Sequence, residues 1–309
     1  MNDEKEPILN ETEIIDDTSY DIKHLVISGG GTYGLAAYGA LRELHKHGKW
    51  DLQNIQSCHG TSIGTCILLM VLFGYDWETL DKFLIERPWK HVFKFDWSHF
   101  LSIYDNCGVF TLENFKQAWE PLFLGADLSI HLTLKELYDK TKIDFFIYSA
   151  EINSFELTCF SHKSHPSMKL LEACYCSCSL PILFKPLSIE GKYYVDGGIF
   201  LNYPLQQCLE LSGAHKKEVL GIRKVTIHKD KHQMNSETNL MEYILLLVRN
   251  MLNNIKHVEQ YECVPNEICI EMETMDFQAL QYFVESAENR RIIIQKGVQS
   301  IEHLLGTMD

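Results

Sequence analysis

Three short stretches carry residue types that could do chemistry together. In Gly60-Thr61-Ser62-Ile63-Gly64 a serine stands between two glycines. That spacing fits a sharp strand-to-helix turn which exposes a nucleophilic hydroxyl, because glycine tolerates the crowded backbone on either side. The same five residues also suit a helix start with Ser62 as N-cap. Asp196-Gly197-Gly198 offers a carboxylate that could act as the base for that hydroxyl, although Asp-Gly is also an ordinary turn dipeptide. In Gly29-Gly30-Gly31-Thr32-Tyr33-Gly34, glycines let backbone N–H groups converge ahead of a helix N-terminus. Such a loop can cradle a phosphate or stabilise a developing oxyanion. A dinucleotide site would want an acid at the end of the second strand. Here Asp51 precedes that strand and Cys58-His59 ends it, which weakens the nucleotide reading without excluding it.

The elements needed to position these stretches are legible in the hydrophobic pattern. Residues 24–28 (HLVIS) form a short apolar run leading into the first glycines, and residues 35–47 follow at helical spacing before Gly48. The grammar repeats with a strand over 54–58, the turn at Ser62 and a helix over 63–73 that is apolar on nearly every face, hence buried. Two successive strand-turn-helix units predict a mostly parallel sheet covered on both faces, with the functional turns at the carboxyl ends of its strands. Further strands are expected at 144–150, 156–160, 193–195, 219–228 and 267–271, and further helices at 112–123, 168–176, 240–254 and 279–305.

Composition narrows the partners. The net charge of −14 argues against nucleic acid, which demands a clustered basic footprint. The longest apolar runs, 66–74 and 243–248, are far shorter than the ~20 residues of a bilayer span, so any membrane contact is expected to be peripheral. Residues 1–22 read as an acidic solvated tail without the features of a secretory signal, and residues 23–309 as a single domain. A cytoplasmic location follows, with the ten cysteines as thiols. The Cys174, Cys176, Cys178 alternation lacks the paired hooks of a zinc site and reads as small core residues.

Taken in order, the glycine loop, the serine elbow and the Asp-Gly-Gly turn resemble the patatin-like phospholipase family. The resemblance continues through Cys107-Gly108-Val109-Phe110, residues 146–151, the small-residue segment 173–186 (ACYCSCSLPILFKP), residues 191–198 and Asn202-Tyr203-Pro204. It covers residues 24–230, with the helical part 239–309 compatible. It implies a three-layer α/β/α fold and cleavage of lipid carboxylic esters by a Ser62–Asp196 dyad through an acyl-enzyme, without metal or organic cofactor. It places an oxyanion hole at Gly29, Gly30, Gly31, Thr32, Gly34 and Ile63, with the backbone amides of Gly30, Gly31 and Thr32 as donors. Gly60 and Gly64 would frame the elbow, and Gly197 and Gly198 the Asp turn. One departure is Tyr33, where many relatives carry a cation, so a preference for phosphate-bearing lipids is open. The competing readings are a Rossmann-type nucleotide-binding protein and a catalytically inactive lipid-binding relative. A histidine-based triad remains formally possible through His59, His162, His165 or His228. The aromatic stretch 89–110 could face a lipid surface or form a satellite core, and the helix over 240–254 could cover the site or belong to the core.

Overall fold

A computed structural model of the chain describes residues 21–94, 107–227, 263–273 and 277–306, with isolated positions between 234 and 250. The expected 240–254 helix therefore lies outside the described residues, apart from isolated positions.

The first unit runs from β1 (His24–Ile27) through the glycine loop into α1 (Tyr33–Lys46). The second runs from β2 (Ser57–Thr61) through Ser62 into α2 (Ile63–Leu72). The second strand begins three residues later than its expected start at 54, because Asp51 accepts a hydrogen bond from the Gln53 N–H and winds residues 52–54 into a short 3₁₀ turn. After α3 (Trp77–Asp81) and α4 (Trp89–Val92) come β3 (Gly108–Phe110) and α5 (Leu112–Gly125). Next is α6 (Leu134–Thr141), a helix not foreseen from periodicity. The sheet then resumes with β4 (Asp144–Glu151) and β5 (Glu156–Phe160). The small-residue segment forms α7 (Leu170–Cys178), followed by the short strands β6 (Ile182–Phe184), β7 (Leu187–Ile189) and β8 (Lys192–Asp196). The remainder comprises α8 (Leu205–Ser212), β9 (Val219–Ile227), β10 (Asn266–Glu273), α9 (Phe277–Glu285) and α10 (Ala287–Gly306). The single C-terminal helix expected over 279–305 is thus two.

Strands β10, β9, β1, β2 and β4 pair in that order and all run parallel, while β5, β7 and β8 join antiparallel. Leu25 and Ile27 of β1 face the large core shared with α1, α2, α7 and α10, and Val26 faces a smaller cluster with Leu205 and Cys208 of α8. Helices therefore cover both faces of the sheet, the α/β/α arrangement expected from the strand-turn-helix repetition.

Helix α1 packs so closely on α10 that a Cβ on Gly39 would stand 2.2 Å from the Ile294 carbonyl oxygen. One turn earlier in α10, buried Arg290 donates to the carbonyls of Ile85, Phe283 and Arg87, tying three segments that have no backbone pairing with one another.

Candidate active site

Strand β4 sets the geometry. Thr61, the last residue of β2, pairs with Tyr148, and Asp196, the last residue of β8, pairs with the next residue, Ser149. Because β5 occupies the opposite edge of β4, β2 and β8 meet end to end along one edge, β2 arriving parallel and β8 antiparallel. Ser62 follows Thr61 directly, so the register delivers the hydroxyl to the carboxylate across 134 residues of chain. Ser62 Oγ donates to Asp196 Oδ2 at 2.6 Å. The other carboxylate oxygen, Oδ1, accepts from the Gly198 N–H at 2.7 Å, and the Asp196 N–H donates to the Ser179 carbonyl. Asp196 is therefore clamped at its backbone and at one oxygen while the second oxygen faces the serine.

Ser62 adopts φ 53 and ψ −129, a conformation that non-glycine residues rarely populate. Its side chain makes no N-cap bond to α2, so the helix-start reading of the motif gives way to the contact with Asp196. The glycines permit this turn through close backbone approach. A Cβ on Gly60 would stand 2.7 Å from the Thr65 nitrogen, one on Gly64 2.3 Å from the Ile27 carbonyl oxygen, and one on Gly197 2.2 Å from the Tyr148 carbonyl oxygen.

A residue not singled out from the sequence holds the elbow from behind. The Ser62 N–H donates to Ser177 Oγ at 2.9 Å, and Ser177 Oγ donates to the Tyr148 carbonyl at 2.6 Å. Ser177 is fully buried on α7. It lay within the small-residue segment 173–186, where the only sequence signal was size. Small side chains there let α7 lie against the turn.

The glycine loop runs beside the elbow, with a Cβ on Gly29 placed 3.1 Å from Ser62 Cβ. The N–H groups of Gly30, Gly31 and Thr32 have no hydrogen-bond partner among the described residues, and neither does that of Ile63, the residue after the serine. Two members of the expected oxyanion set donate elsewhere. The Gly29 N–H bonds the Asn202 carbonyl at 2.9 Å, and the Gly34 N–H bonds the Gly31 carbonyl at 3.0 Å. Their role is to make room, since Gly34 abuts Ile63 and Gly29 abuts both Ser62 and Asn202. Gly31 takes φ 61, the left-handed conformation that suits glycine.

None of the described histidines touches the dyad. His59 lies buried on the α8 face of the sheet, bonded to the Tyr148 hydroxyl and to Ser212 Oγ at 2.9 Å each and stacked on Phe146. Burial holds its imidazole well below the ordinary histidine range. His162 stacks on Tyr138, His165 packs on Phe160, and His228 lies outside the described residues. Of the aromatic stretch 89–110, Trp89 is buried against Phe83, Phe93 and Phe283, and Phe110 packs on Phe93 and Phe184. For these residues the satellite-core reading holds, while residues 95–106 lie outside the described set.

Cys174 and Cys176 are buried on α7, and the Cys66 and Cys178 sulfurs lie 3.5 Å apart as thiols. Among the described residues no group of three potential ligands could hold a metal ion. The second parallel strand ends at Thr61 and Ser62 follows directly, so the position where a ribose-binding acid would stand holds the serine elbow instead.

Fold and site define an α/β protein with a serine elbow opposed by an aspartate turn, and comparison with known proteins supplies the family. The patatin-like phospholipase family matches residues 25–209, and the chain belongs to it. An uncharacterized protein of Acanthamoeba polyphaga mimivirus is 28% identical over 184 residues, covering 60% of each chain. A probable lipid hydrolase of Invertebrate iridescent virus 6 is 25% identical over 196 residues, covering 63% of this chain and 66% of that one. The matched regions thus span less than two thirds of these relatives' lengths. Among solved structures, VipD from Legionella pneumophila superposes with a TM-score of 0.55 at 17% identity, over 93% of this chain and 67% of that one, a likeness of fold.

Proposed function

We propose that this protein hydrolyses carboxylic esters of lipids through a Ser62–Asp196 dyad and an acyl-serine intermediate. The observation that carries the proposal is the 2.6 Å contact from Ser62 Oγ to Asp196 Oδ2, made on an elbow held in a strained backbone conformation. Asp196 Oδ2 takes the Ser62 proton as Oγ attacks the ester carbonyl. Negative charge develops on the carbonyl oxygen, and the unspent N–H groups of Gly30, Gly31, Thr32 and Ile63 supply donors for it. The C–O bond to the alcohol then breaks, the proton passes from Asp196 to the leaving alkoxide, and the acyl group stays on Ser62. Water, deprotonated by Asp196, attacks that acyl group. The fatty acid leaves and Oγ recovers its proton.

Because Gly198 fixes Oδ1, Oδ2 is the oxygen that exchanges the proton, and the carboxylate does not need to rotate between the two half-reactions. Family membership and the iridescent-virus relative support lipid as the substrate class. The reading includes a cytoplasmic enzyme that meets its lipid at a surface. Trp89, being buried, is not part of such a contact.

The test is a fluorophosphonate probe together with a chromogenic acyl ester. Ser62→Ala should lose both labelling and turnover, and Asp196→Asn should lose turnover by at least ~10³-fold with the fold intact. A histidine substitution as damaging as Ser62→Ala, in folded protein, would remove the dyad. Absence of labelling in protein that still binds lipid would leave the inactive lipid-binding reading.

A further inference from the structure

Asn202 stands where the two halves of the site meet. After Asp196 the chain turns back on itself, because the Phe200 and Leu201 N–H groups both donate to the Gly197 carbonyl, at 3.0 and 2.9 Å. Leu201 is then buried with Phe146 and Tyr148, and Tyr203 with Val26 of β1, so Asn202 is held between two anchored neighbours. Its backbone carbonyl accepts from the Gly29 N–H at 2.9 Å, and its side-chain Nδ2 donates to the Gly29 carbonyl at 3.2 Å. One residue thus grips both polar backbone groups of Gly29. The amide oxygen Oδ1 fills the space between two glycines, since it would lie 2.7 Å from a Cβ on Gly29 and 3.2 Å from one on Gly198.

Each of these glycines serves a different part of the chemistry. Gly198 holds Asp196 Oδ1 through its N–H at 2.7 Å. Gly29 leads into Gly30 and Gly31, whose N–H groups are unspent, and a Cβ on it would lie 3.1 Å from Ser62 Cβ. The spacing of base, nucleophile and oxyanion donors therefore passes through the Asn202 carboxamide. Oxyanion stabilisation needs donors fixed in place before the charge develops, whereas a run of glycines is the most freely moving backbone available. Asparagine suits the position because it donates to the loop while staying neutral, and a carboxylate there would add a like charge beside Asp196.

We propose that Asn202 is a positioning residue that holds the oxyanion loop in register with the Ser62–Asp196 dyad, acting through Gly29 rather than on the reacting atoms. This rests on the proposed ester hydrolysis and adds a residue to it. Without the carboxamide, the Gly29 N–H still has the Asn202 backbone carbonyl, so the loop stays attached at one point but pivots about it. The unspent N–H groups of Gly30 and Gly31 then lose their aim. Lipid binding in the ground state is spared, and the loss falls on the transition state, where the carbonyl oxygen carries charge.

The experiment uses two inhibitors with the same alkyl chain. One is a trifluoromethyl ketone, to whose carbonyl Ser62 Oγ adds reversibly, giving a hemiketal oxyanion that sits in the hole while Asp196 keeps the serine proton. The other is the corresponding secondary alcohol, which forms no oxyanion. Parent protein, Asn202→Ala and Asn202→Leu are compared, the leucine keeping the branched shape without the donor. Each variant should weaken the ketone at least ~10-fold while the alcohol Ki and the ester KM stay within about threefold, and kcat on a chromogenic ester should fall in step with ketone affinity. Asn202→Leu carries the test if Asn202→Ala does not fold. Equal losses for ketone and alcohol would overturn the proposal, and so would a lowered unfolding midpoint with ketone Ki and kcat both within about threefold of the parent. Full ketone affinity in Asn202→Leu would likewise reject the hydrogen bond as the strap. Ser62→Ala run alongside separates the two readings. If it retains turnover, the hydrolase reading itself fails. If it is inactive while the Asn202 variants bind the ketone as the parent does, only the Asn202 assignment fails.

Discussion

Ser177→Ala isolates the strut behind the nucleophile. The substitution deletes one hydroxyl that accepts from the Ser62 N–H at 2.9 Å and donates to the Tyr148 carbonyl at 2.6 Å, at a fully buried position. The orphaned Ser62 N–H costs about 1–3 kcal/mol if nothing replaces the bond. A strained backbone conformation such as that of Ser62 stores a further cost of order 1–3 kcal/mol and persists only where its surroundings enforce it. With the strut gone, the elbow can relax toward ordinary dihedrals and carry Oγ away from Asp196. A displacement of about 1 Å is enough for a ~10²-fold loss of rate. The expected outcome is a fall in kcat of about 10- to 100-fold with KM little altered, together with a destabilisation of about 1–3 kcal/mol. The assays are initial rates on a chromogenic ester over a range of concentrations and thermal unfolding followed by circular dichroism. A variant that loses thermal stability yet keeps kcat within twofold of the parent would refute the positioning role and leave Ser177 as packing alone.

Four further outcomes follow from the described contacts. Gly64→Ala should be damaging far beyond the usual ~1 kcal/mol scale of a helical glycine change, because its Cβ would meet the Ile27 carbonyl at 2.3 Å; soluble yield and unfolding midpoint test this. His24 and His59 are buried with lowered imidazole pKa values, by burial in each case, so the unfolded chain takes up protons below about pH 6.5 that the folded chain refuses. Stability should therefore fall as pH drops through 6.5 toward 5, measured by urea midpoints, and His59→Gln should flatten that slope. Arg290→Ala removes four hydrogen bonds to carbonyls and should lower the unfolding midpoint by several degrees while leaving kcat unchanged, since its partners Ile85, Arg87 and Phe283 are not part of the site. Iodoacetamide at pH 8 should label exposed Cys107 and Cys263 in native protein well before Cys174 and Cys176, whose thiols burial raises well above the ordinary range, and peptide mass spectrometry reads the order.

The sequence carried the parallel part of the fold clearly, since apolar runs ending in glycines and followed by 3.6-residue periodicity left few alternatives for β1, α1 and α2. Strands β3, β6 and β7 escaped because each has three residues, too few for a period to show. Helix α6 was missed although Thr133 and Glu136 form a capping box, a start signal legible as Thr-x-x-Glu. For the site, glycine spacing located the elbow and the Asp turn but could not separate glycines that donate from glycines that only make room. Gly29 and Gly34 differ from Gly30 and Gly31 through contacts to Asn202 and within the first turn of α1, which depend on the folded path. Ser177 was invisible for a related reason. It is a small residue among small residues, and its bond to Ser62 spans 115 residues of chain.

The end-to-end meeting of β2 and β8 on one edge of β4 also has a bearing on how the protein is made. Ser62 leaves the ribosome before its partner, which emerges 134 residues later, and β9, the second neighbour of β1, comes later still. A growing chain therefore carries Ser62 through 134 residues of synthesis before Asp196 exists to pair with it. On the proposed mechanism, reactivity switches on only when β8 slots against Ser149, in the same event that fills the edge of β4 beyond β2, so the elbow stays silent until the strands around it have closed.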